Sequence, residues 1–239
     1  DELKHARTYE DALLSIQNSY PEIRSVKELF VRQAGQVERI MKNVWGRLAE
    51  TFTVAIVAGT YFACEKPMRS GVGKNETAAV ELRNRAVVYG KTGELLYSQD
   101  KVYLTEFERT ILLLSPGSIE KVDMFIVNNQ PIGLTICRDT FFPVWESLFN
   151  GALLWVDLKA NGTPYTAQEQ QRFLKALPER LSSAQVAYGL TLCLTGTFLD
   201  LMWEGESSLI KKSPEGITVV ETASSPRAQD VLVYRLNAD

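Results

Sequence analysis

Cys137 ends an apolar run, Gly133-Leu134-Thr135-Ile136, and is followed by Arg138-Asp139-Thr140-Phe141-Phe142-Pro143. A strand that stops at a cysteine, with polar residues and a proline behind it, presents the thiol at a sheet edge, where open α/β folds bind ligands. That placement suits a nucleophile. It also suits a structural thiol, because free cysteine is among the most buried residue types. A thiol of ordinary pKa, ~8.5, is mostly protonated at neutral pH, so a nucleophile here needs a partner that takes its proton or stabilises its anion. The single histidine, His5, lies in a polar N-terminal segment, which argues against a His-dependent triad or a multi-His metal site. A carboxylate and a lysine remain. The carboxylate can accept the thiol proton and return it to a leaving amine, while the ammonium stabilises first the thiolate and then an oxyanion.

Cys64 and Cys193 are widely spaced from Cys137 and from each other and form no CxxC pair, so neither zinc nor a redox disulfide is expected, and both belong to the core. A net charge of -3, a pI near 5.5 and the lack of any basic block argue against non-specific binding to nucleic acid. The longest apolar stretches fall short of the ~20 residues that span a bilayer. Asp1-Glu2-Leu3-Lys4-His5 is not a signal sequence, so a cytoplasmic chain with no membrane partner is expected. At 239 residues and 45% hydrophobic, one domain over 1–239 with a single sizeable core is the simpler expectation.

The elements that must position these groups follow from periodicity and turn chemistry. Asn18 to Ser25 is a loop or a helix start, with Ser19 or Ser25 as cap. Val37, Ile40, Met41, Val44, Trp45 and Leu48 fall at helical spacing and predict a helix packed on the core through that stripe. Thr53 to Gly59 is a continuous apolar run, as in a strand buried on both faces. Residues 64 to 76, with Pro67, Gly71 and Gly73 among charges, predict a loop. Arg85 to Tyr89 and Glu94 to Tyr97 flank Gly90-Lys91-Thr92-Gly93 as a hairpin, and Lys101 comes just after it. Val122 to Val127 and Ile132 to Ile136 form a second pair through Asn128-Asn129-Gln130-Pro131 and deliver Cys137. Beyond it come a short helix near 142–149, a strand over 152–158, helices over 166–177 and 179–187 broken at Pro178, and a buried strand over 189–196. Residues 207–211, 217–221 and 231–236 read as β structure. Strands that alternate with helices in some places and form hairpins in others predict mixed sheets layered with helices.

The order of these signals resembles the nitrilase, or carbon–nitrogen hydrolase, superfamily. The resemblance runs from about Glu10 to the C-terminus. It is carried by a glutamate near the start, the strand ending at Gly59, the Gly-turn hairpin, Lys101-x-x-Leu104-x-x-x-Glu108, Gly117, Cys137-x-Asp139-x-x-Phe142-Pro143, and Trp203-Glu204-Gly205-Glu206-Ser207. It implies an α/β fold, a four-layer α-β-β-α sandwich with two mixed sheets, here with the N-terminal strand and helix missing or diverged. It also implies hydrolysis of an amide-like or nitrile C–N bond through a cysteine thioester, amides before nitriles, on a small molecule, without metal or cofactor, in a homo-oligomer. Carried over by residue, it makes Cys137 the nucleophile, Lys101 the ammonium, and Glu108 the second glutamate that accompanies the lysine. Glu10 is the chosen general base, in Tyr9-Glu10-Asp11-Ala12-Leu13-Leu14, and Glu22 of the Pro21-Glu22 pair is the alternative. On its own chemistry, the backbone N–H of Arg138, just past the strand end, is a second oxyanion donor. Arg138 stands where the family commonly has an aromatic residue. Two other functions stay open: an N-acyltransferase of the same fold, and a non-catalytic, partner-binding relative of it.

Overall fold

The computed structural model describes residues 6–65 and 80–237, so the loop expected over 64 to 76 lies, from residue 66 onward, outside the described residues. Two compact units emerge, Asp1–Ser15 with Val122–Asp239, and Ile16–Lys121.

The apolar patch that begins at Glu10 lies on a helix, α1 (Tyr9–Ser19). Thr8 and Asp11 start it reciprocally: the Asp11 N–H donates to Thr8 Oγ1 at 3.0 Å, and the Thr8 N–H donates to Asp11 Oδ2 at 3.1 Å. That reciprocal cap satisfies donors which a helix start leaves without partners, and it puts Glu10 in the first helical turn.

In the unit Ile16–Lys121, Ser25 caps α2 (Val26–Met41), its hydroxyl accepting from the Glu28 N–H at 3.2 Å. The helix continues through a π turn (Lys42–Gly46) into α3 (Arg47–Phe52) and stops at Thr53, which adopts the left-handed conformation. The apolar stripe expected to form one core face is split into two rows. Met41, Trp45 and Ala49 pack with Val87 and Tyr89, whereas Ile40, Val44 and Leu48 are exposed. Rows one residue apart point about 100° apart around a helix, so the sheet takes only one of them.

That sheet is β1 (Ile56–Glu65), β2 (Glu81–Tyr89) and β3 (Leu95–Asp100), antiparallel throughout and in that order. β1 is mostly half-buried rather than buried on both faces, since it lies at an edge and carries an irregularity between Val57 and Thr60. The expected hairpin is β2–β3. Its turn meets the helix backbone to backbone: a Cβ on Gly46 would lie 2.9 Å from the Gly93 carbonyl oxygen. A second cluster, Leu82, Leu104, Leu112 and Leu114 against Val26, Phe30 and Phe62, pins the chain that follows β3. Within it lies the short helix α4 (Glu106–Thr110).

The other unit holds six strands in the order β11-β10-β7-β6-β5-β4. They are β4 (Phe125–Val127), β5 (Gln130–Ile136), β6 (Leu154–Lys159), β7 (Tyr188–Cys193), β10 (Ser208–Ser213) and β11 (Gly216–Thr222), with a separate hairpin of β8 (Gly196–Phe198) and β9 (Leu201–Trp203). β5, β6 and β7 are parallel, and their neighbours pair antiparallel. This sheet is therefore mixed, as expected, while the three-stranded one, also expected to be mixed, is antiparallel. Asn128 and Asn129 turn β4 into β5 at φ 49° and 63°, a two-residue turn of the kind that suits the strands' right-handed twist.

Helices α5 (Val144–Leu148), α6 (Ala167–Leu174) and α7 (Leu177–Ser183) complete this unit. Pro178 sits in the first turn of α7, where its missing N–H costs no helical bond, so the break falls before α7 and not at the proline. Trp145 and Phe149 pack at a tilt with centroids 5.6 Å apart, and Phe149 meets Trp155 edge to face at 5.1 Å, in a slot left open by Gly133. The β structure expected over 231–236 is absent: Val231 and Val233 are exposed and no strand pairs with them. Alternating apolar residues make a strand only where a neighbour completes the ladder.

Candidate active site

Parallel pairing sets Ile136 opposite Leu158 and Lys159 opposite Cys193. Cys137, Lys159 and Cys193 thus mark the carboxyl ends of three adjacent strands, the edge where α/β sheets take their ligands. Cys137 is half-buried and has a φ of 54°. A left-handed cysteine is strained by about 1–3 kcal/mol and persists only where its surroundings over-determine it.

The surroundings are the 3-10 turn Cys137–Phe141. Thr140 Oγ1 donates to the Cys137 carbonyl at 2.9 Å, and the Ile136 N–H donates to Asp139 Oδ2 at 3.3 Å. Asp139 and Thr140 are fully buried. The acid two residues past the cysteine therefore ties off the strand end, and Pro143 opens α5 directly after the turn.

Beneath the turn lies Lys159, whose side chain is 1% exposed. Its Nζ is 2.7 Å from Asp157 Oδ2, an ion pair rather than an aligned hydrogen bond. The ammonium also donates to the Cys137 carbonyl at 3.3 Å and to Thr140 Oγ1 at 3.5 Å. Thr135 Oγ1 donates to Asp157 Oδ1 at 3.3 Å and accepts from Trp155 Nε1 at 2.9 Å. The Phe141 and Phe173 rings lie 5.1 Å and 5.3 Å from Nζ, within cation–π range. Burial pushes the neighbouring Cys193 thiol up to about 12, against the opposing pull of Lys159. Gly205 of the Trp203–Ser207 stretch covers that thiol, since a Cβ there would lie 2.8 Å from Cys193 Sγ.

In the unit Ile16–Lys121, Lys101 leaves the end of β3, its N–H donating to the Asn84 carbonyl at 2.8 Å. Its ammonium is buried against Glu108, 2.7 Å from each carboxylate oxygen. Glu108 Oε2 also accepts from the Thr105 N–H at 2.8 Å and from Thr105 Oγ1 at 3.0 Å, in the capping box that begins α4. Burial alone would raise the Glu108 carboxyl; the Lys101 charge, the Lys101 hydrogen bond and the Thr105 donors outweigh it and hold it below the usual carboxylate range.

No family model matches the chain, and no curated protein matches it. Solved structures do. Nit3 of Saccharomyces cerevisiae, a member of branch 10 of the nitrilase superfamily, shares 21% identity at a TM-score of 0.62 over 79% of this chain and 62% of its own. A carbon–nitrogen hydrolase from Helicobacter pylori G27 aligns over 91% of this chain and 78% of its own, with TM-score 0.64 and 15% identity. This chain has the nitrilase-superfamily fold. An amidase from Nesterenkonia sp. AN1, seen with acrylamide added to its active-site cysteine, gives TM-score 0.56 and 17% identity over 83% of this chain and 70% of its own. The chain thus spans 62% of the length of the yeast Nit3 structure.

On this nitrilase-type fold the expected residues fall into two groups. Cys137 and the Arg138 backbone share one strand end, with the Arg138 side chain exposed and its guanidinium 6.0 Å from the Phe142 ring. Lys101 and Glu108 share one ion pair. Glu10 is exposed on α1, and Glu22 is exposed and paired with Arg32, which holds its carboxyl below the usual range. Lys159 and Asp157 were not singled out from the sequence. Their signal was present: two charges at alternate positions of an otherwise apolar strand, which puts both on one face of the sheet. Among the described residues no cluster of His, Cys, Asp and Glu could hold a metal, and no helix is long and apolar enough to cross a membrane.

Proposed function

We propose that this chain is a carbon–nitrogen hydrolase acting on small amides, and second on nitriles, with Cys137 as its nucleophile and no cofactor. The observation that carries the proposal is the strained, half-buried cysteine at the carboxyl end of a parallel strand. The fold it shares with solved amidases and carbon–nitrogen hydrolases adds to it.

In the proposed reaction Cys137 Sγ attacks the amide carbon while its proton passes to a glutamate. The C–N bond breaks, the amine leaves with that proton, and a thioester remains. Water, deprotonated by the same glutamate, attacks the thioester; the C–S bond breaks and the acid departs. Lys101 supplies the ammonium for the oxyanion, held in place by Glu108, and the Arg138 N–H supplies the second donor. Glu10 keeps the role of base, supported by the anchoring of α1: the Tyr9 N–H donates to Asp200 Oδ1 at 2.6 Å, in the hairpin that follows the end of β7. The pairing of Glu22 with Arg32 makes it the weaker choice. Self-association and a cytoplasmic location belong to the same proposal, the former open to light scattering.

Ammonia release from a panel of primary amides, compared between the wild-type chain and Cys137→Ala, Lys101→Met, Glu10→Gln and Glu22→Gln, tests it. Cys137→Ala and Lys101→Met should abolish turnover, and Glu10→Gln should lower it more than Glu22→Gln. Undiminished turnover in Cys137→Ala would overturn the assignment. An N-acyl product formed on addition of a primary amine would move it to acyl transfer.

A further inference from the structure

We infer that Lys159 is a positioning residue that sets the Cys137–Arg138 peptide so that its N–H faces a developing oxyanion, a role that rests on Cys137 being the nucleophile. A trans peptide is planar, with its C=O and N–H directed to opposite sides. The Cys137 carbonyl is bound on one side by Lys159 Nζ at 3.3 Å and Thr140 Oγ1 at 2.9 Å. The Arg138 N–H is thereby turned away from Lys159. In a tight turn the competing conformation flips a single peptide, which would reverse that N–H, as between type I and type II turns. A charge-assisted bond to the carbonyl favours one of the two.

The alternative is that the Lys159–Asp157 pair merely ties β6 to the turn. Buried ion pairs are a weak source of stability, because desolvation offsets their attraction, and apolar residues of similar volume often do as well. This one is fully desolvated, with side chains 1% and 0% exposed, and its ammonium lies against the carbonyl of the proposed nucleophile. A plain tie between strands would not need that contact.

Two probes on the intact chain separate the roles. Attack on p-nitrophenyl acetate joins sulfur to the carbonyl carbon through an oxyanion and expels p-nitrophenolate; attack on iodoacetamide displaces iodide with no oxyanion. Removing an oxyanion donor costs about 10²–10³-fold in other enzymes. The variant Lys159→Met/Asp157→Asn, which removes both charges together, should acylate Cys137 at least thirtyfold more slowly while its alkylation changes less than threefold. Thr140→Val, which loses the other donor to the same carbonyl, should show the same selective effect at three- to tenfold and serves if the double variant does not fold. Equal losses in both reactions, or no loss in acylation, would overturn the positioning role. A wild-type Cys137 that acylates no faster than a free thiol would overturn the nucleophile assignment itself. Fast wild-type acylation left unchanged in the variants removes only Lys159.

Discussion

Lys101 Nζ lies 2.7 Å from both carboxylate oxygens of Glu108, and the two side chains are 3% and 10% exposed. Seven residues separate them: the lysine leaves a strand and the glutamate opens a helix, so the intervening turn folds back on itself. Thr105 fixes the carboxylate from the helix start, and the carboxylate fixes the ammonium.

Removing one partner of such a pair leaves a buried charge uncompensated. Glu108→Gln should destabilise the chain by about 3 kcal/mol, whereas Lys101→Met/Glu108→Leu, which removes both charges, should recover most of that loss. Urea unfolding of the three chains measures it; a Glu108→Gln midpoint equal to wild type would show that the pair is not desolvated in solution.

The same pair sets a pH dependence. Because the folded state holds the Glu108 carboxyl below its unfolded value, its stabilisation is complete above the ordinary carboxylate pKa of ~4.3 and is lost as pH falls through the lower, folded value. Stability should decline with acidification in that window, and less steeply in Glu108→Gln. Parallel acid limbs for the two chains would count against the shift.

Gly46 and Gly93 meet without side chains, and Gly93 also has a φ of 81°. Gly46→Ala should cost about 1–3 kcal/mol by forcing the helix off the hairpin turn. Gly35→Ala, within α2 and with open space around the added methyl, should instead stabilise by about 0.5–1 kcal/mol. Thermal unfolding of both variants checks the opposite signs.

Cys193 should resist iodoacetamide in the native chain at neutral pH, since its thiol is pushed up to about 12 by burial and stays protonated. Labelling should appear on unfolding in urea. Gly205→Ala, whose methyl would lie 2.8 Å from Cys193 Sγ, should displace the covering segment between β9 and β10 and admit the reagent without denaturant. Peptide mapping reads both outcomes; rapid native labelling of Cys193 would contradict its burial.

The strand end at Cys137, the β2–β3 hairpin that leads to Lys101, the Ser25 cap and the asparagine turn before β5 were legible because turn residues, caps and alternation act over a few neighbours. The Thr8–Asp11 start of α1 is equally local, a Thr followed three residues later by an acid, yet it was not singled out from the sequence. Other features lay beyond any local signal. Which row of the 26–52 helix is buried depends on the face that β2 offers, and residues 231–236 lacked a ladder partner that no window of sequence could supply.

The amino-acid order by itself determined where Cys137 would end its strand and that the chain carries a single histidine, His5. Only the tertiary structure decided that Lys159 and Asp157 lie desolvated beneath the Cys137 carbonyl, and that Lys101 closes on Glu108. The physical reason is distance along the chain: the Cys137 carbonyl and Thr140 reach Lys159 from the turn after β5, brought alongside by parallel pairing, and a buried charge is defined by neighbours that only the assembled sheet provides.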